Sequence, residues 1–196
     1  MTVVQLLMLA TAAFFAYKIY EHVERLEDVE ENVDKQQPAQ NTQQESVEQL
    51  IEEADEKLHN GDFVRALTIY SEANYKKQND PDILFKMGYA LMQQDRDDEA
   101  LEYLQDAVQL DTNNIYIHQA LASVYRKLKE YEKAKEHLNI ALALQSSNPV
   151  TYYNYGNVLV DMQEYQEAIQ MYQKALELDP SLTQAQEELE KLQEKV

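Results

Sequence analysis

The sequence predicts an all-α fold, a solenoid of stacked helix hairpins, and three ladders of small residues carry that prediction. Ala66, Ala100, Ala134 and Ala168 form the first ladder, and Ala73, Ala107, Ala141 and Ala175 form the second. Ala54, Gly88, Ala122 and Gly156 form the third, and all three run at a spacing of 34 residues. A period of this length marks a stack of like supersecondary units, none able to bury its apolar face alone. Small residues at fixed places mark close helix approaches, so each unit reads as a helix pair. The chain has 196 residues but only three glycines and four prolines, which leaves helices uninterrupted.

Composition narrows the function classes. Lys and Arg number 17 against 36 Asp and Glu, a net charge of −19 that disfavours non-specific contact with nucleic acid. Without cysteine there are no disulfides and no thiolate chemistry, and the redox compartment stays open. The scarcity of glycine leaves little room for a phosphate-cradling loop.

The first element, residues 1–20, is apolar, with no charge between Thr2 and Tyr17. Lys18 can extend its ammonium toward water, so Ile19 and Tyr20 bring the segment to the ~20 residues that a membrane span needs. It is read as a single transmembrane helix. A cleaved signal peptide is the second reading, because Ala10-Thr-Ala12 has the look of a cleavage site, although no basic residue precedes the segment. A soluble helix is the third. Lys18 and Arg25 follow the span, which places the rest of the chain in the cytoplasm, with an extracytoplasmic placement as the alternative.

Residues 21–34 read as an acidic helical stalk. Ile19, Val23, Leu26, Val29 and Val33 recur at helical spacing, so weak self-association through residues 19–33 is expected. Residues 35–46 are polar and low in complexity, the composition of a flexible linker.

Four repeats are expected over 47–182, divided as 47–80, 81–114, 115–148 and 149–182. Ser46-Val-Glu-Gln49 is a capping box that opens the first helix. Asp80-Pro81 and Asn148-Pro149 place a capping side chain before a proline at the first helical position. Polar turns are expected within the hairpins at Asn60-Gly-Asp62, Gln94-Asp-Arg96, Leu128-Lys-Glu130 and Gln163-Glu164. Ser181-Leu-Thr-Gln184 reads as a second capping box, opening a polar capping helix at 183–196. The stack is expected to bury Leu67, Tyr70, Leu84, Met87, Leu91, Leu101, Leu104, Leu121, Tyr125, Leu138, Leu142, Tyr155, Leu159, Tyr172 and Leu176.

Residues 47–182 resemble the tetratricopeptide repeat family. That family has a small residue at position eight, alanine at positions twenty and twenty-seven, an aromatic by the hairpin turn and a closing proline. Here Phe63, Tyr131 and Tyr165 supply the aromatic, Asp97 replaces it in the second repeat, and only Pro180 keeps the proline. The fourth repeat matches best. The first departs most, with Glu53 and Lys57 at apolar places, so a less well packed first helix is expected.

The resemblance implies a binding scaffold whose first helices line a concave groove. Carried over position by position, the groove holds Phe85, Tyr89, Met92, Tyr116, Gln119, Arg126, Lys127, Tyr153, Asn157 and Val160. Exposed aromatics anchor peptides, and Arg pairs with carboxylates. In the third repeat Arg126, Lys127, Lys129, Lys133 and Lys135 outnumber Glu130, Glu132 and Glu136, a basic island suited to an acidic peptide or a C-terminal carboxylate. The family's two-carboxylate clamp is not assigned, because Ile51 and Asp55 hold its places in the first repeat.

Catalysis finds no support. His22, His59, His118 and His137 share no metal-ligand spacing, and no nucleophile elbow or HExxH occurs. No cofactor or metal is expected. The sequence therefore points to a membrane-anchored protein-interaction scaffold that is not an enzyme. A structural or assembly factor in envelope or membrane-complex biogenesis, possibly exported, is the alternative.

Overall fold

The structure is a computed structural model and describes residues 46–195. The segments expected to be anchor, stalk and linker, up to residue 45, lie outside the described residues. No helix among the described residues is long and apolar enough to cross a membrane.

The described chain is an α-solenoid of nine helices. They are α1 (Val47–His59), α2 (Phe63–Lys76), α3 (Pro81–Met92), α4 (Asp97–Leu110), α5 (Ile115–Lys127), α6 (Tyr131–Leu144), α7 (Pro149–Asp161), α8 (Tyr165–Leu178) and α9 (Thr183–Lys195). The dominant packing is within the hairpins α1/α2, α3/α4, α5/α6 and α7/α8, and each then packs on the next. In the middle of the array the successive first helices α3, α5 and α7 also touch, whereas successive second helices stand further apart. The stack therefore curves toward its first helices, which makes theirs the concave side.

The small-residue ladders are the contact points. All eight ladder alanines of the second helices are fully buried, as is Ala54, and Ala122, Gly88 and Gly156 are buried with them. At Gly156 a Cβ would fall 2.4 Å from the Tyr172 ring, and at Gly88 a Cβ would fall 2.7 Å from Leu104. At Gly156 glycine is needed because the Tyr172 ring occupies the space. The first repeat packs better than its sequence suggests. Leu50 and Ala54 seal α1 onto Ala66, Tyr70 and Ala73, and Glu53 simply points to solvent.

The turns follow one rule. Gly61, Asp95, Lys129 and Gln163, each 34 residues from the next, have φ of 77°, 55°, 63° and 65°. The N–H of the following residue reaches back across the turn: Asp62 to Lys57 O, Arg96 to Leu91 O, Glu130 to Tyr125 O and Glu164 to Leu159 O. This left-handed helix ending satisfies the last carbonyls. Only the first repeat uses the residue that adopts it without steric cost.

The caps divide. Both arms of the Ser46–Gln49 box are made, at 2.8 and 3.2 Å. Asp80 accepts from the N–H groups of Asp82 and Ile83, and Asn148 accepts from that of Thr151. The box expected at Ser181–Gln184 does not form. Ser181 Oγ donates to Asp179 Oδ1 at 2.6 Å, and the helix starts at Thr183. A carboxylate two residues back captures the hydroxyl that would have capped α9. The last helix nonetheless covers the array, burying Ala185 and Leu192 against Leu159, Ala168, Tyr172 and Ala175.

Candidate interaction groove

The residues expected in the groove fall into two groups. The first is aromatic and accessible. Phe85 and Tyr89 lie one turn apart on α3 with ring centroids 6.4 Å apart. Phe85 and Met92 are half-buried against the core, while Tyr89 is 39% exposed. Tyr116, in the first turn of α5, is 60% exposed and borders a depression shared with Leu144. Tyr153 and Val160 on α7 are half-buried, and the Tyr153 ring lies 5.9 Å from that of Tyr172.

The second group is polar, and its members are engaged by the array itself. Gln119 is buried, its Nε2 donating to Thr151 Oγ1 at 2.7 Å and to Asn148 Oδ1 at 3.2 Å. Asn157 Oδ1 accepts from the Tyr172 hydroxyl at 2.8 Å. Arg126 Nη1 meets Asp161 Oδ2 at 3.3 Å. Lys127 Nζ lies 2.8 Å from Asp95 and 3.2 Å from Asp97. Arg126 and Asn157 do share a niche of about 30 Å³ with Ser123 and Asn154, room for a single water.

The basic island is tied into the array by ion pairs. Arg126 reaches forward to the fourth repeat, Lys135 reaches forward to Glu164 at 3.8 Å, and Lys127 reaches back to the second repeat. Lys133 pairs with Glu130 inside its own turn. Of this basic set only Lys129 has no acidic partner among the described residues. The lysines hold acids that would otherwise repel one another along a chain of net charge −19. Charge-assisted hydrogen bonding to Asp95 raises the Lys127 pKa, and the same contact lowers that of Asp95. Asp97, the residue in place of the family's aromatic, is one of these partners.

Sequence reasoning missed a related contact in the first repeat. Asp55 takes Lys86 Nζ at 2.7 Å and also accepts a short hydrogen bond from the Tyr70 hydroxyl. Burial, followed by this hydrogen bond, raises the Tyr70 pKa well above its ordinary value. Tyr70 follows Asp55 by 15 residues and Tyr172 follows Asn157 by the same interval, so the pairing was visible in the 34-residue register. A part-buried polar pair joins α5 to α6. His118 Nδ1 lies 2.9 Å from His137 Nδ1, and His118 Nε2 lies 3.1 Å from Thr112 O. Among the described residues no group of three or more His, Asp or Glu is arranged to hold a metal.

A curved array of helix hairpins with an aromatic strip along its inner helices is the geometry of a repeat-type binding scaffold. Two tetratricopeptide repeat models match the sequence, one over residues 57–124 and one over 111–181. Together they span well over half of the chain, which belongs to the tetratricopeptide repeat family, a scaffold family that mediates protein–protein interactions.

The fold is similar to a crystal structure of MamA protein, at 27% identity and TM-score 0.65, covering 76% of this chain and 81% of that one. It is also similar to the first such repeat domain of Spaghetti (RPAP3), solved bound to the HSP90 peptide SRMEEVD. That match has 29% identity and TM-score 0.56, covering 59% of this chain and 91% of that one. The type IV pilus assembly protein PilF of Pseudomonas aeruginosa is 32% identical over 96 residues, 49% of this chain and 37% of that protein. The chain spans less than a quarter of the length of the first curated relatives it matches, at 23%, 17% and 16%.

Proposed function

We propose that this chain is a membrane-tethered scaffold that takes a partner peptide along its first-helix groove. The aromatic strip carries the reading. Tyr89 and Tyr116, both on first helices, are solvent-exposed at 39% and 60%, and the Phe85 ring lies 6.4 Å from that of Tyr89. Aromatic side chains give large contact area at small entropic cost, which suits them as anchors. The likeness to a domain solved with an HSP90 peptide supports a peptide as occupant. The anchoring mode here differs from a carboxylate clamp. Asp55 puts a negative charge in the first repeat, and an acidic segment would have to displace Asp161 from Arg126, and Asp95 and Asp97 from Lys127. The tether rests on the uncharged segment from Thr2 to Tyr17.

The test is crosslinking of the full-length protein in its native membrane, followed by purification and identification of what is attached. Tyr89→Ala combined with Tyr116→Ala should remove the main crosslinked partners while helical content and melting stay unchanged. Retention of the same partners at wild-type yield rejects the groove. A cleaved N-terminus in the purified protein rejects the tether.

The likeness to a pilus assembly protein favours a second reading, an assembly factor for a membrane-associated complex. In that case the crosslinked species would be subunits of one defined complex, and their assembly would fail without this chain.

A further inference from the structure

The polar niche between α5 and α7 is lined by groups that still have hydrogens to give. Ser123 and Arg126 come from α5, Asn154 and Asn157 from α7, and the space of about 30 Å³ takes one water-sized group. The orientation of the Asn157 carboxamide is set from inside its own hairpin. The Tyr172 hydroxyl donates to Asn157 Oδ1 at 2.8 Å, and burial raises the Tyr172 pKa well above its ordinary value, so the phenol keeps its proton. The Asn157 oxygen is therefore engaged, and the Nδ2 hydrogens have no partner among the described residues. Asn154 makes no hydrogen bond among them either. Arg126 commits one N–H to Asp161 and keeps the rest of its fork. Ser123 Oγ gives its hydrogen to Gln119 O at 3.0 Å.

Mostly unmet donors call for an acceptor, and size, charge and shape select which one. The niche admits a single oxygen, whereas a carboxylate or a phosphate brings more. The Arg126 charge is already balanced by Asp161, so an anion would gain no net attraction and would lie close to a carboxylate. A primary carboxamide carries an N–H on the same side as its oxygen, which sets donor against donor. In a trans peptide the N–H points away from the C=O, so the carbonyl enters alone. The site occurs once along the array. Asp55 holds the place of Asn157 in the first repeat and pairs with Tyr70 in the same way, but a carboxylate has no hydrogens to offer and takes Lys86 instead. Tyr89 and Ser123 hold that place in the second and third repeats.

We propose that Asn157 and Arg126 grip one main-chain carbonyl of the peptide in the groove, fixing the register of an extended segment at the fourth repeat while Tyr89 and Tyr116 take its side chains. This rests on the groove as the binding surface. It adds that the occupant is held at the α5–α7 niche by its backbone, with no acidic residue or C-terminal carboxylate at that point.

The experiment titrates acetyl-Ala-Ala-N-methylamide into the isotopically labelled full-length chain by NMR, with sodium acetate and propionamide as the carboxylate and primary-amide arms. The dipeptide should shift the side-chain amides of Asn154 and Asn157 and the Arg126 Nε–H. Acetate and propionamide should each bind there about tenfold more weakly. Asn157→Asp keeps an acceptor for Tyr172, as Asp55 does for Tyr70, and removes only the hydrogens, so it too should bind the dipeptide about tenfold more weakly. Tyr172→Phe frees the carboxamide to turn and should also weaken binding. An unshifted Asn157 amide, equal binding of acetate or propionamide, or wild-type affinity in either variant would overturn the proposal. Crosslinking in the native membrane separates this failure from that of the groove. Partners kept by Asn157→Asp but lost from Tyr89→Ala with Tyr116→Ala reject the niche alone, and partners kept by both reject the groove.

Discussion

Gln119 and Thr151 bind the third repeat to the fourth through a buried 2.7 Å hydrogen bond, with Gln119 Nε2 as donor and Thr151 Oγ1 as acceptor. Thr151 is fully buried and Gln119 is 9% exposed. A groove position has become an inter-repeat joint. Thr151→Val keeps the shape and removes the acceptor, so one amide hydrogen is left against a methyl group. The expected cost is about 1–3 kcal/mol, the desolvation penalty of an unmet buried donor. Urea melts of the two proteins measure it, and coincident midpoints would remove the joint from the account.

Close approach at Gly156 predicts a coupled pair. Gly156→Ala places a methyl 2.4 Å from the Tyr172 ring and should cost about 1–3 kcal/mol through overpacking. The third repeat pairs Ala122 with Leu138 at the equivalent places, both fully buried. Gly156→Ala with Tyr172→Leu copies that pair. The double variant should lose less stability than the two single variants together, and simple additivity would argue against the clash.

The turn at Gln163 holds φ at 65° without being glycine. Gln163→Gly should raise stability by about 0.5–1 kcal/mol, since it relieves a steric cost in the folded state larger than the freedom it adds to the unfolded chain. Gly61→Ala should do the reverse, because φ is 77° there and a Cβ would meet nothing within 4 Å, leaving backbone strain as the only cost. Thermal melts moving in the same direction for both variants would exclude this explanation.

The histidine pair predicts a pH dependence. Burial, followed by the neighbouring His118, holds the His137 pKa below its ordinary value of 6.5. The ring stacks on Tyr125, over which Lys133 sits at 5.1 Å, and Glu136 opposes the shift only in part. In the unfolded chain His137 takes up its proton near pH 6.5, before the folded state does. Its contribution is therefore complete above that pH and is lost as pH falls below it. Urea midpoints should drop from pH 7.5 to 5.5 in the wild type and drop less in His137→Gln. Equal slopes would assign the dependence to other groups.

Legibility differed from residue to residue. The helix pairs were readable because Ala, Gly and the capping residues Ser46, Asp80 and Asn148 act locally or recur at a fixed interval. The exposure of Tyr89 and Tyr116 was readable because it follows from their register positions on the first helices. The partners of Gln119, Arg126 and Lys127 were not readable, because each lies about 30 residues away, in the next or the previous repeat. Ser181 was misread because Asp179, just two residues before it, competes for its hydroxyl.

The sequence by itself determined the repeat length, the packing ladders and the surplus of negative charge. These are properties of single residues in a periodic pattern, and a periodic pattern needs no three-dimensional knowledge to be seen. Tertiary structure alone decided which polar side chains engage the neighbouring repeat. That choice depends on distances across a repeat boundary, where Lys127 finds Asp95 at 2.8 Å and Gln119 finds Thr151 at 2.7 Å. An ion pair or a buried amide is satisfied by whatever group lies within about 3 Å, and the stacking of one repeat on the next sets which group that is.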